Sequence, residues 1–312
     1  MADAKPQQKE DGLITLLKSL ASERQKPLLL LGIDHVIPPS VSALGQKLRD
    51  KNFAELDVVL HTPGGHIESA FKIAKLLRKH AKAVNIIVPS YAKSAGTLIC
   101  LCANKMILTT TSELGPLDVK IPEHQDGDID TYKSALNGYK ALEQIQKHAV
   151  ENMDVATMLI LRRTGNKMRL FDAIKLAIEF SGSTSGCLYN QIHPKTISEN
   201  ARSLEIGERY GVKILAKYMG WENDKAVTVV RKLVYDYPSH EFIIDNEELK
   251  ELGFVVEEPQ GAEVALIEAL GSLLDAMENE DGHRIELVEP SASTQVVSEA
   301  TKRQKASLEQ KP

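Results

Sequence analysis

The sequence is poor in aromatic residues, in net charge and in long apolar runs. Aromatic residues make up 5% of the 312 residues, so the core must be built from aliphatic side chains. The 38 basic and 43 acidic residues give a net charge of −5, which argues against a nucleic-acid binder or a basic membrane-surface protein. No run approaches the roughly 18 apolar residues of a membrane span. The N-terminus is polar and shows no export signal. We therefore expect a cytoplasmic protein without a membrane span.

Cysteine is also scarce. Cys100 and Cys102 lie in the apolar run LICLCAN, and Cys187 stands alone, so the number is odd. This pattern favours a reducing compartment and two buried free thiols. A zinc site would need a second Cys pair or a His cluster at matching spacing, and the sequence has neither. We predict no metal and no cofactor.

The order of apolar segments predicts an α/β domain. Residues 1–26 are expected to form an N-terminal tail and one short helix. In the domain, residues 27–280, strand-like runs at 27–33, 55–62, 83–89 and 105–111 alternate with helical patterns at 41–52, 67–80 and 94–104. Such alternation predicts parallel strands.

A mainly helical segment follows at about 131–235, with breaks expected at 164–166, 181–186 and 193–194. A helix at 245–253, a strand at 254–258 and a helix at 261–280 complete the domain. Residues 281–312 are polar and are expected to form a disordered tail.

The segment HTPGGHIES at 61–69 joins a predicted strand to a predicted helix. Gly64 and Gly65 leave backbone N–H groups free of a neighbouring Cβ, so they can face a developing oxyanion. The same residues also suit an ordinary turn.

The segment PSYAKSAGTLI at 89–99 places Ser94 at the start of a helix. A serine there is commonly an N-cap, but the free N–H groups of a first helical turn also suit a nucleophile. Downstream, TSELGPLDVKI at 111–121 is either a turn or a wall of a substrate cleft.

In this order and spacing, the three segments resemble the Clp/crotonase superfamily of serine peptidases. Within it, the chain is similar to the serine dehydrogenase proteinase family, which is related to signal peptide peptidase A and the Clp protease proteolytic subunit. The resemblance implies an α/β fold, a Clp/crotonase-like spiral of ββα units with an additional helical region. It implies Ser94 as nucleophile and an oxyanion hole from the N–H groups of Gly64 or Gly65 and of Ala95. It also implies a peptide or protein substrate and a homo-oligomer.

The general base is open at this point. The signal-peptide-peptidase branch uses a lysine near the start of the following helix, and Lys133 in TYKSALNGYK matches best. Lys140 and Lys147 are alternatives on the same predicted helix. His124, His240 or no base at all are further readings, since the Clp protease subunit uses His and Asp.

Other charged neighbours are expected to be incidental. Lys93 is interpreted as a surface or substrate-facing charge, and His61 and His66 as loop histidines without function. Two rival functions use the same fold: an acyl-CoA-binding crotonase-like enzyme and a non-catalytic scaffold. The intact AKSAGT segment disfavours the first of these, and the uncertain base keeps the second open.

Overall fold

A six-stranded sheet forms the centre of the computed structural model, which describes residues 6–117, 120–123, 131–277 and 283–290. The strands lie in the order β10-β1-β2-β3-β5-β9. All neighbours are parallel except β10, which runs antiparallel to β1. The predicted α/β class is therefore confirmed.

The first half of the chain supplies most of this sheet. Its elements are α1 (Pro6–Arg24), β1 (Leu28–Ile33), α2 (Pro38–Lys47), β2 (Phe53–His61), α3 (Ile67–His80), β3 (Ala81–Val88), β4 (Tyr91–Ala92), α4 (Ala95–Cys100), β5 (Lys105–Leu108) and β6 (Glu113–Leu114). The short strands β4 and β6 pair with each other outside the main sheet.

The second half is mainly helical. Its elements are β7 (Lys120–Glu123), β8 (Thr131–Ser134), α5 (Ala135–Arg163), α6 (Leu170–Tyr189), α7 (Pro194–Lys213), α8 (Asn223–Arg231), α9 (Asn246–Glu251), β9 (Val256–Glu257), α10 (Ala262–Asp275) and β10 (His283–Val288). Two π-helical turns follow α7 and α8, at Ile214–Tyr218 and Lys232–Asp236.

The chain divides into two compact units, residues 1–117 with 207–312 and residues 118–206. In the first unit, α1 and α10 pack on one face of the sheet. Aliphatic side chains dominate that core, as the scarcity of aromatic residues predicts, among them Leu17, Leu28, Val59, Ile87 and Leu270. The second unit holds the β7–β8 hairpin, α5, α6 and most of α7. Within the described segments, no helix is both long and apolar enough to cross a membrane.

Both ends of the domain differ from the expectation. α1 spans 19 residues rather than a short helix, because its Leu13, Leu17 and Leu20 pack into the core. The polar tail was predicted to begin at 281, but residues 283–288 form the edge strand β10. Although β10 is rather polar, its backbone pairs with β1 and its Val288 side chain packs into the core.

The predicted break at 181–186 is also wrong, because α6 runs unbroken through SGSTSG. Ser181 and Ser185 are buried, and the Ser181 hydroxyl donates a hydrogen bond to the Ala149 carbonyl at 2.6 Å. The small side chains thus allow α6 to approach α5. The other two predicted breaks are confirmed, since α5 ends at Arg163 and α7 begins at Pro194.

Candidate active site

The candidate site lies where β2 and β3 end. Parallel strands bring the loops after their carboxyl ends to the same edge of a sheet. The loop after β2 contains Gly64 and Gly65, and the segment after β3 leads through β4 to Ser94. A backbone bridge between Thr62 and Ala92 joins the two, with Lys93 N–H donating to the Thr62 carbonyl at 3.0 Å.

Ser94 has an unusual backbone conformation. Its φ of 52° and ψ of −113° lie in a region that residues with a Cβ rarely adopt. Ser94 occupies the N-cap position of α4, yet its side chain makes no capping hydrogen bond. The capping interpretation is therefore wrong. A strained serine at a sharp strand-to-helix turn is the backbone geometry of a nucleophile elbow.

Glycines make the close contacts around Ser94 possible. A Cβ built on Gly64 would lie 2.9 Å from the Lys93 carbonyl oxygen and 3.0 Å from Ser94 Cβ. A Cβ on Gly96 would lie 2.7 Å from Thr62 Cγ2. Gly64 also has a φ of +115°, which disfavours any other residue. The loop after β2 and the turn at Ser94 thus touch through backbone.

The backbone donors near Ser94 are not equivalent. Gly64 N–H donates to the Thr62 hydroxyl at 3.2 Å, so it already has an acceptor. In the described part of the chain, Gly65 N–H and Ala95 N–H donate no hydrogen bond. Gly65 is exposed and Ala95 is buried at the start of α4. Of the two glycines predicted from sequence, Gly65 is therefore the one with a donor available for an oxyanion.

A third segment closes one side of this region. The Thr97 hydroxyl oxygen lies within hydrogen-bond distance of two carbonyl oxygens, that of Gly115 at 2.7 Å and that of Ala92 at 3.0 Å. Leu114 in turn forms an antiparallel bridge with Ile244. The segment at 111–117 therefore packs against α4, as expected for the wall of a cleft rather than for an isolated turn.

Lys93 is held by carboxylates rather than free at the surface. Its Nζ lies 2.7 Å from Glu113 Oε1 and 3.5 Å from Glu241 Oε2, and its side chain is only 19% exposed. Burial opposes its charged form, but the hydrogen bonds and charges of Glu113 and Glu241 outweigh burial and raise the pKa of Lys93. Lys93 therefore stays protonated and is unsuited to act as a base. The sequence analysis missed these two partners, although the opposite charges of KS at 93–94 and SE at 112–113 offered a signal.

The histidines occupy different surroundings. His61 is the last residue of β2 and is buried, not a loop residue. Its ring centroid lies 4.4 Å from that of Tyr91, and its Nε2 lies 3.5 Å from Asp275 Oδ1. His66 is an exposed residue that precedes α3, as expected for the loop. His240 is buried in the segment between α8 and α9.

Three candidate bases, Lys133, Lys140 and Lys147, fall in the second unit, whereas His240 belongs to the first. Lys133 was expected at the start of a helix, but its backbone lies in β8 and pairs with Ile121 of β7. The helix begins two residues later, at Ala135. Thr131 and Tyr132 belong to residue types that favour strands, and pairing with β7 allows this segment to form one. The Lys147 side chain is 69% exposed, and its Nζ lies 3.9 Å from Glu151 Oε1. His124 lies outside the described residues.

The cysteine prediction is confirmed for the apolar run. Cys100 and Cys102 are buried free thiols, and Cys187 is exposed. Burial raises the pKa of both buried thiols, to about 12 for Cys102. Among the described residues, no group of three or more His, Cys, Asp or Glu side chains is placed to hold a metal.

Two uncharacterized proteins of Methanocaldococcus jannaschii are similar in sequence. MJ0137 is 31% identical over 202 residues, which cover 65% of this chain and 53% of that protein. MJ1495 is 35% identical over 104 residues, 32% of this chain and 36% of that protein. The matched parts thus span about half or less of these relatives.

Two solved structures are also similar. A mutant of ClpP1 from Listeria monocytogenes has 12% identity, with 81% of this chain and 99% of that chain covered and a TM-score of 0.37. A mutant of the 1510-N membrane-bound stomatin-specific protease has 16% identity, with 47% and 66% covered and a TM-score of 0.28.

A family model matches the part of the chain that carries the three motifs. The matched residues, 42–168, include the glycine loop, Ser94 and the segment at 111–117. The resemblance predicted from the motifs is thereby confirmed: residues 42–168, less than half of the chain, match the model of a family described as ClpP-like SDH-type serine proteinase.

Proposed function

We propose that this protein is a serine peptidase whose nucleophile is Ser94. The observation that carries the proposal is the backbone of Ser94, which has a positive φ and a side chain that does not cap the helix it precedes. A strained serine persists only where the surrounding structure holds it, and such residues cluster at active sites. The match of residues 42–168 to the model of a serine proteinase family supports the same role.

In the proposed reaction, Ser94 Oγ attacks the carbonyl carbon of a peptide bond while a base takes the hydroxyl proton. The carbonyl oxygen becomes an oxyanion, and the N–H groups of Gly65 and Ala95 donate to it. Collapse expels the amine, which takes up a proton, and leaves an acyl-enzyme on Ser94. Water then attacks the ester and releases the acid.

Lys133 is the base we propose, on the family resemblance alone. A lysine base must be neutral, which requires a pKa below the ordinary value of about 10.4. The alternative bases are Lys140, Lys147, His124 and His240, and a substitution at each tests whether it takes the proton instead. The proposal further includes a peptide or protein substrate, a cytoplasmic location and a homo-oligomer, each of which the resemblance or the composition implies.

A fluorophosphonate probe tests the nucleophile directly. Peptide mapping of the labelled full-length chain should place the adduct on Ser94, and Ser94→Ala should abolish both labelling and peptide hydrolysis. Ser90→Ala is the matched control, because Ser90 lies in the same loop and its carbonyl, not its side chain, accepts the hydrogen bond from Glu113 N–H. Labelling that survives in Ser94→Ala would refute the assignment. A folded wild-type chain that takes no label and cleaves nothing would favour a scaffold.

A further inference from the structure

Large apolar side chains are exposed along one pair of helices. Over the described residues, only two of the exposed large apolar side chains lie elsewhere, Ile243 and Val255. Four lie on α5 and seven on α6. The α6 set includes Leu170, Phe171, Leu176, Ile178 and Phe180, with Phe171 exposed to 76%. A soluble chain rarely exposes so many without a partner.

The way α6 packs on α5 explains why these side chains point outward. The buried residues of α6 are Ala173, Ala177, Ser181 and Ser185, which recur every fourth residue and form one stripe. The Ser181 hydrogen bond to the Ala149 carbonyl shows that this stripe faces α5. The small residues therefore fill the contact within the hairpin, and the large side chains lie outside that contact.

The exposed area is large enough for a stable interface. Eleven side chains exposed to between 38% and 76% present together on the order of 1,000 Å² of apolar surface. A standard protein–protein interface takes about 800 Å² from each partner. Two helices with apolar flanks also match the requirement of a four-helix arrangement, in which each helix packs against two neighbours.

We infer that the α5–α6 hairpin binds the same hairpin of a second copy of this chain. A second copy supplies the matching surface, since apolar flanks on a two-helix hairpin are self-complementary under a two-fold axis. Residues 155–171 at the hairpin tip contain four basic residues and no acidic one. Like charges repel, so the two tips lie at opposite ends of the pair. The homo-oligomer of the proposed function rests on resemblance, whereas this surface rests on the exposed side chains and does not require peptidase activity.

Sedimentation velocity of the full-length protein tests the inference at about 1 to 50 μM, a range in which most specific interfaces are occupied. The wild type should sediment as a dimer or a larger species. Phe171→Asp/Phe180→Asp should shift at least ten-fold more of the protein to monomer. Both side chains are exposed, so unchanged helical content and melting temperature should accompany the loss. Val255→Asp is the matched control, because Val255 is 55% exposed and lies outside the hairpin.

Further measurements separate the alternatives. Ser94→Ala should assemble like the wild type, so loss of activity and loss of assembly are read independently. A monomeric wild type, or a hairpin variant that assembles like the control, overturns the inference. Co-sedimentation of a monomeric wild type with anionic phospholipid vesicles, lost at 0.5 M salt, would also overturn it and assign the hairpin to a lipid surface instead.

Discussion

The backbone of Ser94 predicts an inverted order of stability for two substitutions. A residue with a Cβ at φ 52° and ψ −113° is strained by about 1–3 kcal/mol, whereas glycine is not. Glycine costs about 0.4–1 kcal/mol relative to alanine because its unfolded chain is more flexible. Ser94→Gly should therefore be more stable than Ser94→Ala by about 0.5–2 kcal/mol.

Ser272 provides the matched comparison, because it is exposed in the regular helix α10. There Ser272→Gly should be less stable than Ser272→Ala by about 1 kcal/mol, the usual helix preference. Urea denaturation of all four variants measures both differences. Neither Ser94 variant should hydrolyse peptides, so activity does not complicate the comparison. If Ser94→Ala proves the more stable of its pair, the strain is absent and the argument for an elbow loses its basis.

Four further outcomes are expected. Lys133→Ala and Lys133→Arg should both lose hydrolysis while the wild-type rate rises with pH through the lowered pKa of the base, because only a neutral amine accepts the proton; normal cleavage by Lys133→Ala would move the base elsewhere. Lys93→Met should keep probe labelling but lose about 1 kcal/mol of stability with its Glu113 pair. Because the pKa of Lys93 is raised, this difference should be complete from pH 7 up to the ordinary lysine pKa of about 10.4 and should shrink as pH rises from there through the raised pKa, as urea midpoints measured at increasing pH would show. Gly64→Ala should reduce labelling and stability, since its methyl would meet the Lys93 carbonyl, whereas Gly45→Ala, with no atom within 4 Å, should be neutral or stabilising in the same assays. Truncation after residue 282 should lower the melting temperature by removing β10 from the sheet, and truncation after residue 290 should not.

The sheet was predictable because its strands are nearly continuous apolar runs. β1, β2 and β3 are buried on both faces, which leaves a signal that does not depend on any partner. α9 was also predictable, since the Asp245 side chain caps it by accepting hydrogen bonds from Glu247 N–H and Glu248 N–H, and aspartate is a preferred N-cap residue. Local chemistry decided these elements.

The elements that the sequence analysis missed depend on distant partners. β10 is a polar segment that becomes a strand only because β1 offers an edge, 250 to 260 residues earlier in the chain. β8 requires β7, and the helix of the SGSTSG segment requires α5 beside its small side chains. In the candidate site, residue types led to the prediction of Ser94 and the two glycines. The choice between Gly64 and Gly65 required the hydrogen bond from Gly64 N–H to Thr62, which spacing cannot show.

The presence of serine at position 94 is itself a physical argument for its use. The backbone there is one in which glycine would be more stable, so the side chain is kept at a cost to folding. The Ser94 hydroxyl does not offset this strain by capping α4, since it makes no capping hydrogen bond. The loops around it approach as closely as glycine allows and tie their own polar groups to one another, while the N–H groups of Gly65 and Ala95 make no hydrogen bond within the described residues. Departures from local preference that stabilise nothing are expected where a protein does chemistry. Here the strained backbone of Ser94 is followed directly by the Ala95 donor and contacts the loop that carries Gly65.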